Sequence, residues 1–101
     1  MVTKAKRNTA MALVDADGDK RFFCQDGSIS KNLTELVDCL NNMTEEVFHH
    51  HVSSEKNDFS NWIRDVLGDA TLAIKLGSAT SSSEAGKIVI ERVAWLQKKA
   101  R

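Results

Sequence analysis

Proline is absent from this chain of 101 residues. That removes the residue most apt to break a helix and suits a mostly helical fold. Long apolar runs are absent too. None approaches the ~20 residues a helix needs to cross a bilayer, so no membrane partner is expected. The opening, MVTKAKRNTAMALVDADGD, is basic, but its apolar stretch AMALV is too short for a secretory core. There are two cysteines, Cys24 and Cys39. They form no C-x-x-C and, with scattered histidines, match no structural zinc spacing. They read as free, buried thiols of a reducing compartment, and a cytoplasmic location is the expectation. Phosphate-cradling glycine motifs are missing, as are a G-x-S-x-G elbow and an activated-cysteine context. No catalytic residue and no cofactor are therefore assigned, and the chain is expected not to be an enzyme.

An excess of one charge is also lacking: 14 basic residues balance 14 acidic ones. Their distribution is uneven. Residues 1–14 carry Lys4, Lys6 and Arg7 and no acid, residues 15–69 carry twelve acids against five bases, and residues 70–101 carry six bases against two acids. Basic ends around an acidic middle point either to an anionic partner for the ends, at Lys4, Lys6, Arg7 and Arg101, or to solvated tails with no specific role.

What is present reads as one domain over residues 1–101. A chain of this length buries roughly 65% of its unfolded surface, enough for one core. Apolar and β-favouring runs, TAMALV and KRFFC, flank DADGD, and QDGS follows, which predicts a small hairpin within residues 9–30 behind a basic tail at 1–8. From 31 to 101 the helical period takes over. Asn32 and Glu35 suggest a capping box before the stripe Leu33, Leu36, Val37, Leu40. Thr44 caps a helix with Val47, Phe48 and Val52. After SSEKND, Asn57 or Asp58 caps a helix whose inner face is Phe59, Trp62, Ile63, Val66 and Leu67, and Gly68 ends it. Asp69 caps a short helix. GSATSSSEAG leads to the last helix, with Ser81 and Glu84 as its box and a wide apolar face of Ala85, Ile88, Val89, Ile90, Val93 and Leu96. The expected fold is mainly α with a short N-terminal β-hairpin, a compact bundle of about five helices.

Two metal readings can be weighed from spacing. Asp15, Asp17 and Asp19 occupy positions 1, 3 and 5 of a calcium loop, but Lys20 stands where glycine must turn the chain and Asp26 where a bidentate glutamate is needed. An acidic turn is the plainer reading. In HHHVSSEKNDF, residues 49–59, helical geometry keeps His49, His50 and His51 from converging. Glu46 pairs in sequence with His49 at i+3 and with His50 at i+4, but a carboxylate-bridged site needs a second such pair, and none exists. Glu46, His49 and His50 are weak metal candidates, and no metal is assigned. His51 lies on the flank of the apolar face, six residues before Asn57 and seven before Asp58, across a break. It reads as a polar node with Asn57 and Asp58 joining two helices. A pH-sensing or ligand-contacting role is the alternative.

Phe22, Asp26, Gly27, Ile29, Leu33, Glu35, Leu36 and Phe48 form an aromatic strand, a DG turn, L-x-E-L and a further aromatic residue. They precede HV at 51–52 and N-D-F-x-x-W-I-x-D-V-x-G-D-x-x-L-A from Asn57 to Ala73. This pattern resembles a family of small, mostly helical domains of unknown function from archaea and bacteria. The likeness covers residues 22 to about 76. It implies a helical, cytoplasmic accessory or interaction domain, sometimes attached to larger enzymes, and brings no activity to transfer.

On the last helix Trp95 lies at the edge of the apolar face beside Arg92 and Lys99. A tryptophan bordered by cations can pack internally, anchor a protein interface, or stack on a base while the cations meet phosphates. The expected function is a non-enzymatic module that docks on a macromolecule, most readily a protein, through its last helix (Arg92, Trp95, Lys98, Lys99) and basic termini. The alternatives are a small-ligand or metal-sensing domain built on His51, Asp58 and the acidic turn, and a nucleic-acid or ribonucleoprotein accessory protein bound through the basic ends.

Overall fold

The computed structural model describes residues 14–100. The expectations placed on Lys4, Lys6, Arg7, Arg101 and a first strand in TAMALV lie partly or wholly outside the described residues. Two strands, β1 (Phe22–Phe23) and β2 (Ile29–Ser30), pair antiparallel with Phe22 opposite Ser30 and Phe23 opposite Ile29. Five helices follow: α1 (Leu33–Asn42), α2 (Glu45–His51), α3 (Asp58–Trp62), α4 (Ala70–Leu76) and α5 (Ser82–Ala100). A π-turn, Ile63–Leu67, continues α3.

The hairpin turns at the second Asp/Gly cluster, not at DADGD. Gly27 N–H donates to Cys24 O at 3.0 Å and Cys24 N–H to Ser28 O at 2.9 Å, with Gly27 at φ +93°. Only glycine holds that φ without a steric cost, so CQDGS closes the strands. DADGD instead leads into a single 3₁₀ turn, Gly18–Lys20. Trp62 Nε1–H fastens this turn to α3 by donating to Lys20 O at 2.8 Å.

Each helix opens on a polar side chain that accepts a hydrogen bond from its first turn: Asn32 from Glu35 N, Thr44 from Val47 N, Asn57 from Ser60 N, Asp69 from Leu72 N and Ser81 from Glu84 N. Each cap contributes ~1 kcal/mol. The reciprocal glutamates reach one residue further back than a capping box requires. Glu35 accepts from Lys31 N at 2.9 Å and Glu84 from Thr80 N at 2.7 Å. Between α2 and α3 the chain reverses tightly, with Ser53 N donating to Lys56 O at 2.8 Å and a bridge from Val52 to Asn57.

One core forms from Leu33, Leu36 and Leu40 of α1, Phe48 of α2, Phe59 and Ile63 around α3, Leu72 and Leu76 of α4, and Ala85, Val89 and Leu96 of α5. Burying each large side chain contributes ~1.5–3 kcal/mol. The most extensive helix contact joins α1 to α5. Gly86 faces α1 in this contact, where a Cβ would lie 2.6 Å from the Asn41 Oδ1 at the tip of an exposed side chain. Two apolar residues depart from their expected faces. Val66 is 37% exposed, because the π-turn shifts it away from the face that buries Ile63 and Leu67. Ile90 is 52% exposed. Successive helical residues are 100° apart, so a core seam through Ala85, Val89, Val93 and Leu96 leaves Ile90 outside it. Among the described residues no helix is long and apolar enough to cross a membrane.

Candidate functional site

His51 closes the last turn of α2 and is 6% exposed. Its Nε2 accepts from Gln25 N–H at 3.1 Å, and its Nδ1 lies 2.9 Å from Asp58 Oδ2. An N–H facing Nε2 and a carboxylate facing Nδ1 select the neutral tautomer with its proton on Nδ1. The ring packs against Phe22 and Phe59, centroids 5.2 and 5.3 Å away. One imidazole therefore ties the hairpin turn, the end of α2 and the first turn of α3. Both ring nitrogens are engaged, so His51 offers no lone pair to a metal or substrate without losing a bond. Burial pushes the Asp58 carboxyl upward, but the hydrogen bonds from His51 and Lys56, with the Lys56 charge, outweigh it and hold the group below its ordinary value.

Asn57 does not join this junction. Its Oδ1 caps α3 and its Nδ2 donates to Leu76 O at 3.1 Å, clasping the end of α4. Glu46, His49 and His50 stay apart on the exposed side of α2. His49 Nε2 lies 3.9 Å from Glu45, not from Glu46, and the His50 ring rests edge-on against His51. Among the described residues no three His, Cys, Asp or Glu side chains are grouped to hold a metal ion. The acidic turn is also separate, since Asp15 accepts from Asn32 Nδ2 at 2.8 Å. No hydrogen bond among the described residues links Asp15, Asp17 or Asp19 to His51 or Asp58.

Two nucleophilic groups, Cys24 and Ser60, are buried. Burial pushes the Cys24 thiol up to about 11, so it stays protonated at neutral pH. The Ser60 hydroxyl donates to Ala73 O at 2.9 Å.

The last helix presents a different kind of surface. Arg92 is held by Asp69, whose buried carboxylate also caps α4, through Nε to Oδ2 at 2.9 Å and Nη2 to Oδ1 at 3.0 Å. The guanidinium carbon lies 4.4 Å from the Trp95 ring centroid, and Lys99 Nζ lies 5.6 Å from it. Trp95 itself is 45% exposed. It borders a groove of about 640 Å³ between α4 and α5, with Lys75, Ser78, Ile88, Glu91 and Arg92 as the other walls. Lys98 is exposed beyond it. The Arg92–Trp95–Lys99 adjacency follows from helical spacing alone. The α4 wall and the Asp69 clamp do not, because they come from chain distant in sequence. No known family, curated protein or solved structure matches this chain.

Proposed function

We propose that the chain is a non-enzymatic docking module of the cytoplasm whose groove between α4 and α5 receives an apolar side chain of a protein partner against Trp95. The half-exposed Trp95 on a fixed support carries this reading. Arg92 is locked by a buried carboxylate and holds one side of the indole, so the ring is pre-positioned and loses little freedom on binding. Tryptophan and arginine dominate binding energy at protein interfaces, chiefly where the contact is well packed and dry. The groove volume lies within the range of sites that hold a side chain or small ligand.

A second reading rests on the same ring. Trp95 flanked by Lys99, with Lys75 and Lys98 nearby, resembles a stacking platform for a single-stranded nucleic acid. Two features weigh against it. The Arg92 charge is already neutralised by Asp69, and Glu91 lies in the groove wall facing any phosphate. The metal- or ligand-sensing reading is weaker, since both nitrogens of His51 are taken.

The test is affinity capture of partners with the full chain and with Trp95→Ala, after nuclease treatment, at low and high salt. A protein that survives nuclease and high salt and is lost with Trp95→Ala supports the docking reading. A species removed by nuclease or salt overturns it in favour of nucleic acid. Capture indifferent to Trp95→Ala moves the interface away from this groove.

A further inference from the structure

Contacts around the core run in a ring. β1 packs on α3, with the Phe22 and Phe59 rings stacked at 4.9 Å and Trp62 bonded to Lys20 O. α3 packs on α4, where Ser60 Oγ donates to Ala73 O, then α4 on α5 and α5 on α1. α1 returns to β2, with Ser28 Oγ 3.2 Å from Cys39 Sγ. In such a ring the hairpin lies opposite the edge formed by α4 and α5. The last helix agrees. Gly86 faces α1 and Trp95 faces α4, and their spacing of nine positions sets them on opposite sides of the helix.

Both of these outer sides carry exposed apolar groups. On the hairpin, Phe22 and Ser30 face inward. Phe23 and Ile29 are therefore paired across the strands on the outer face, 54% and 52% exposed. On the far side stands Trp95 with its groove. The two sides differ in charge. Residues 15–38, the hairpin and the start of α1, carry six acidic and three basic side chains, and residues 75–99 carry five basic and two acidic. Lys75, Lys98 and Lys99 make no ion pair among the described residues. Like sides of two copies repel and unlike sides attract. The whole chain has no net charge, so no long-range repulsion keeps copies apart.

We propose that the groove between α4 and α5 receives the hairpin of a second copy of this chain, with Phe23 and Ile29 against Trp95 and Ile88. The inference rests on the docking reading of Trp95 and names its partner. Asp26 and Asp38 supply carboxylates on the hairpin side for Lys75, Lys98 and Lys99 on the groove side. Charge disfavours the isologous arrangements, in which two hairpins or two grooves meet. The contact is head to tail, so a dimer still has one hairpin and one groove free, and growth continues unless a ring closes.

Sedimentation velocity of the full chain, from micromolar to millimolar concentration, reads the assembly. The mean mass is expected to rise with concentration and to fall back as salt is added. Trp95→Ala spoils the groove and keeps the hairpin. Phe23→Thr with Ile29→Thr spoils the hairpin and keeps the groove. All three side chains are half exposed and threonine suits a strand, so both variants are expected to fold, which amide spectra check. Each variant alone is expected to associate about tenfold more weakly or worse, as truncation of an interface tryptophan does. Mixed in equal amounts, they should form a species of two chains and none larger, because each pair has one good hairpin and one good groove. Should either variant fail to fold, Lys99→Glu and Asp38→Lys, both at exposed positions, repeat the design: each alone weakens association and their mixture restores it. A natural chain that stays monomeric overturns the inference and leaves the groove to a different protein. Full association retained by either variant alone overturns it too, as does a mixture that stays monomeric while the natural chain assembles. The docking reading survives all three results, since its own test is capture of a partner.

Discussion

Arg92 grips Asp69 with two parallel hydrogen bonds, across 23 positions of sequence, while the side chains are only 14% and 3% exposed. The same carboxylate caps α4, so one aspartate orders two helices and the floor beneath Trp95. Arg92→Ala leaves this carboxylate buried and unpaired. Breaking a buried pair in this way costs ~3–5 kcal/mol. The expected outcome is a loss of that size in urea unfolding. Arg92→Lys recovers only part of it, because an ammonium cannot reproduce the planar fork. A loss below ~1 kcal/mol for Arg92→Ala would place the pair among weak surface bridges.

His51→Ala removes two hydrogen bonds at once and leaves the Gln25 N–H without its acceptor. A loss of ~1–3 kcal/mol is expected for a buried group left unsatisfied, with further loss from the packing against Phe22 and Phe59. Hydrogen exchange locates the effect: faster exchange at Gln25 and in the first turn of α3, with α5 little changed. An unchanged unfolding midpoint would free His51 from its structural role and return it to function.

What local chemistry decides is legible in the sequence, and what distant chain decides is not. The caps at Asn32, Thr44, Asn57, Asp69 and Ser81 act within three residues, so composition and order suffice to place them. The stripe Leu33, Leu36, Val37, Leu40 is likewise a matter of one helix. A 3.6-residue period places Val66 on a buried face, but that period does not hold through a π-turn. Hydropathy alone places Ile90 inside, although a single seam has no room for every apolar residue of α5. For the candidate site, Trp95 with Arg92 and Lys99 is visible as a helical neighbourhood. Lys75 and Ser78 opposite them, the Asp69 clamp, and Gln25 as the second partner of His51 depend on how α4 and the hairpin pack. No periodicity carries that information.

The Asp58 carboxyl predicts the shape of the acid limb. Its folded value is depressed, so its contribution is full above the ordinary aspartate value of 3.8 and is lost as pH falls through the lower folded value. Stability should therefore drop in strongly acidic solution, with part of the slope due to this group. Asp58→Asn cannot titrate. The expected result is a variant less stable at neutral pH whose urea midpoint falls less steeply than that of the natural chain from neutral pH to about pH 2. Parallel curves for the two proteins would show that Asp58 does not couple to folding.

Gly86 gives a test of the α1–α5 seam in which two effects oppose. Alanine is favoured over glycine in a helix interior by ~1 kcal/mol. A Cβ at this position, however, meets Asn41 Oδ1 at 2.6 Å and has Leu40 Cβ at 3.7 Å. Asn41 is exposed, so its side chain can swing away, and only the amide stands in the way. Gly86→Ala alone is expected to leave stability within ~1 kcal/mol of the natural chain, the helix gain being offset by the displaced amide. In an Asn41→Ala background the same change should stabilise by close to the full ~1 kcal/mol, because the obstacle is gone. The double-mutant cycle measures the difference directly. Additive single changes would show that Asn41 is not what keeps position 86 glycine.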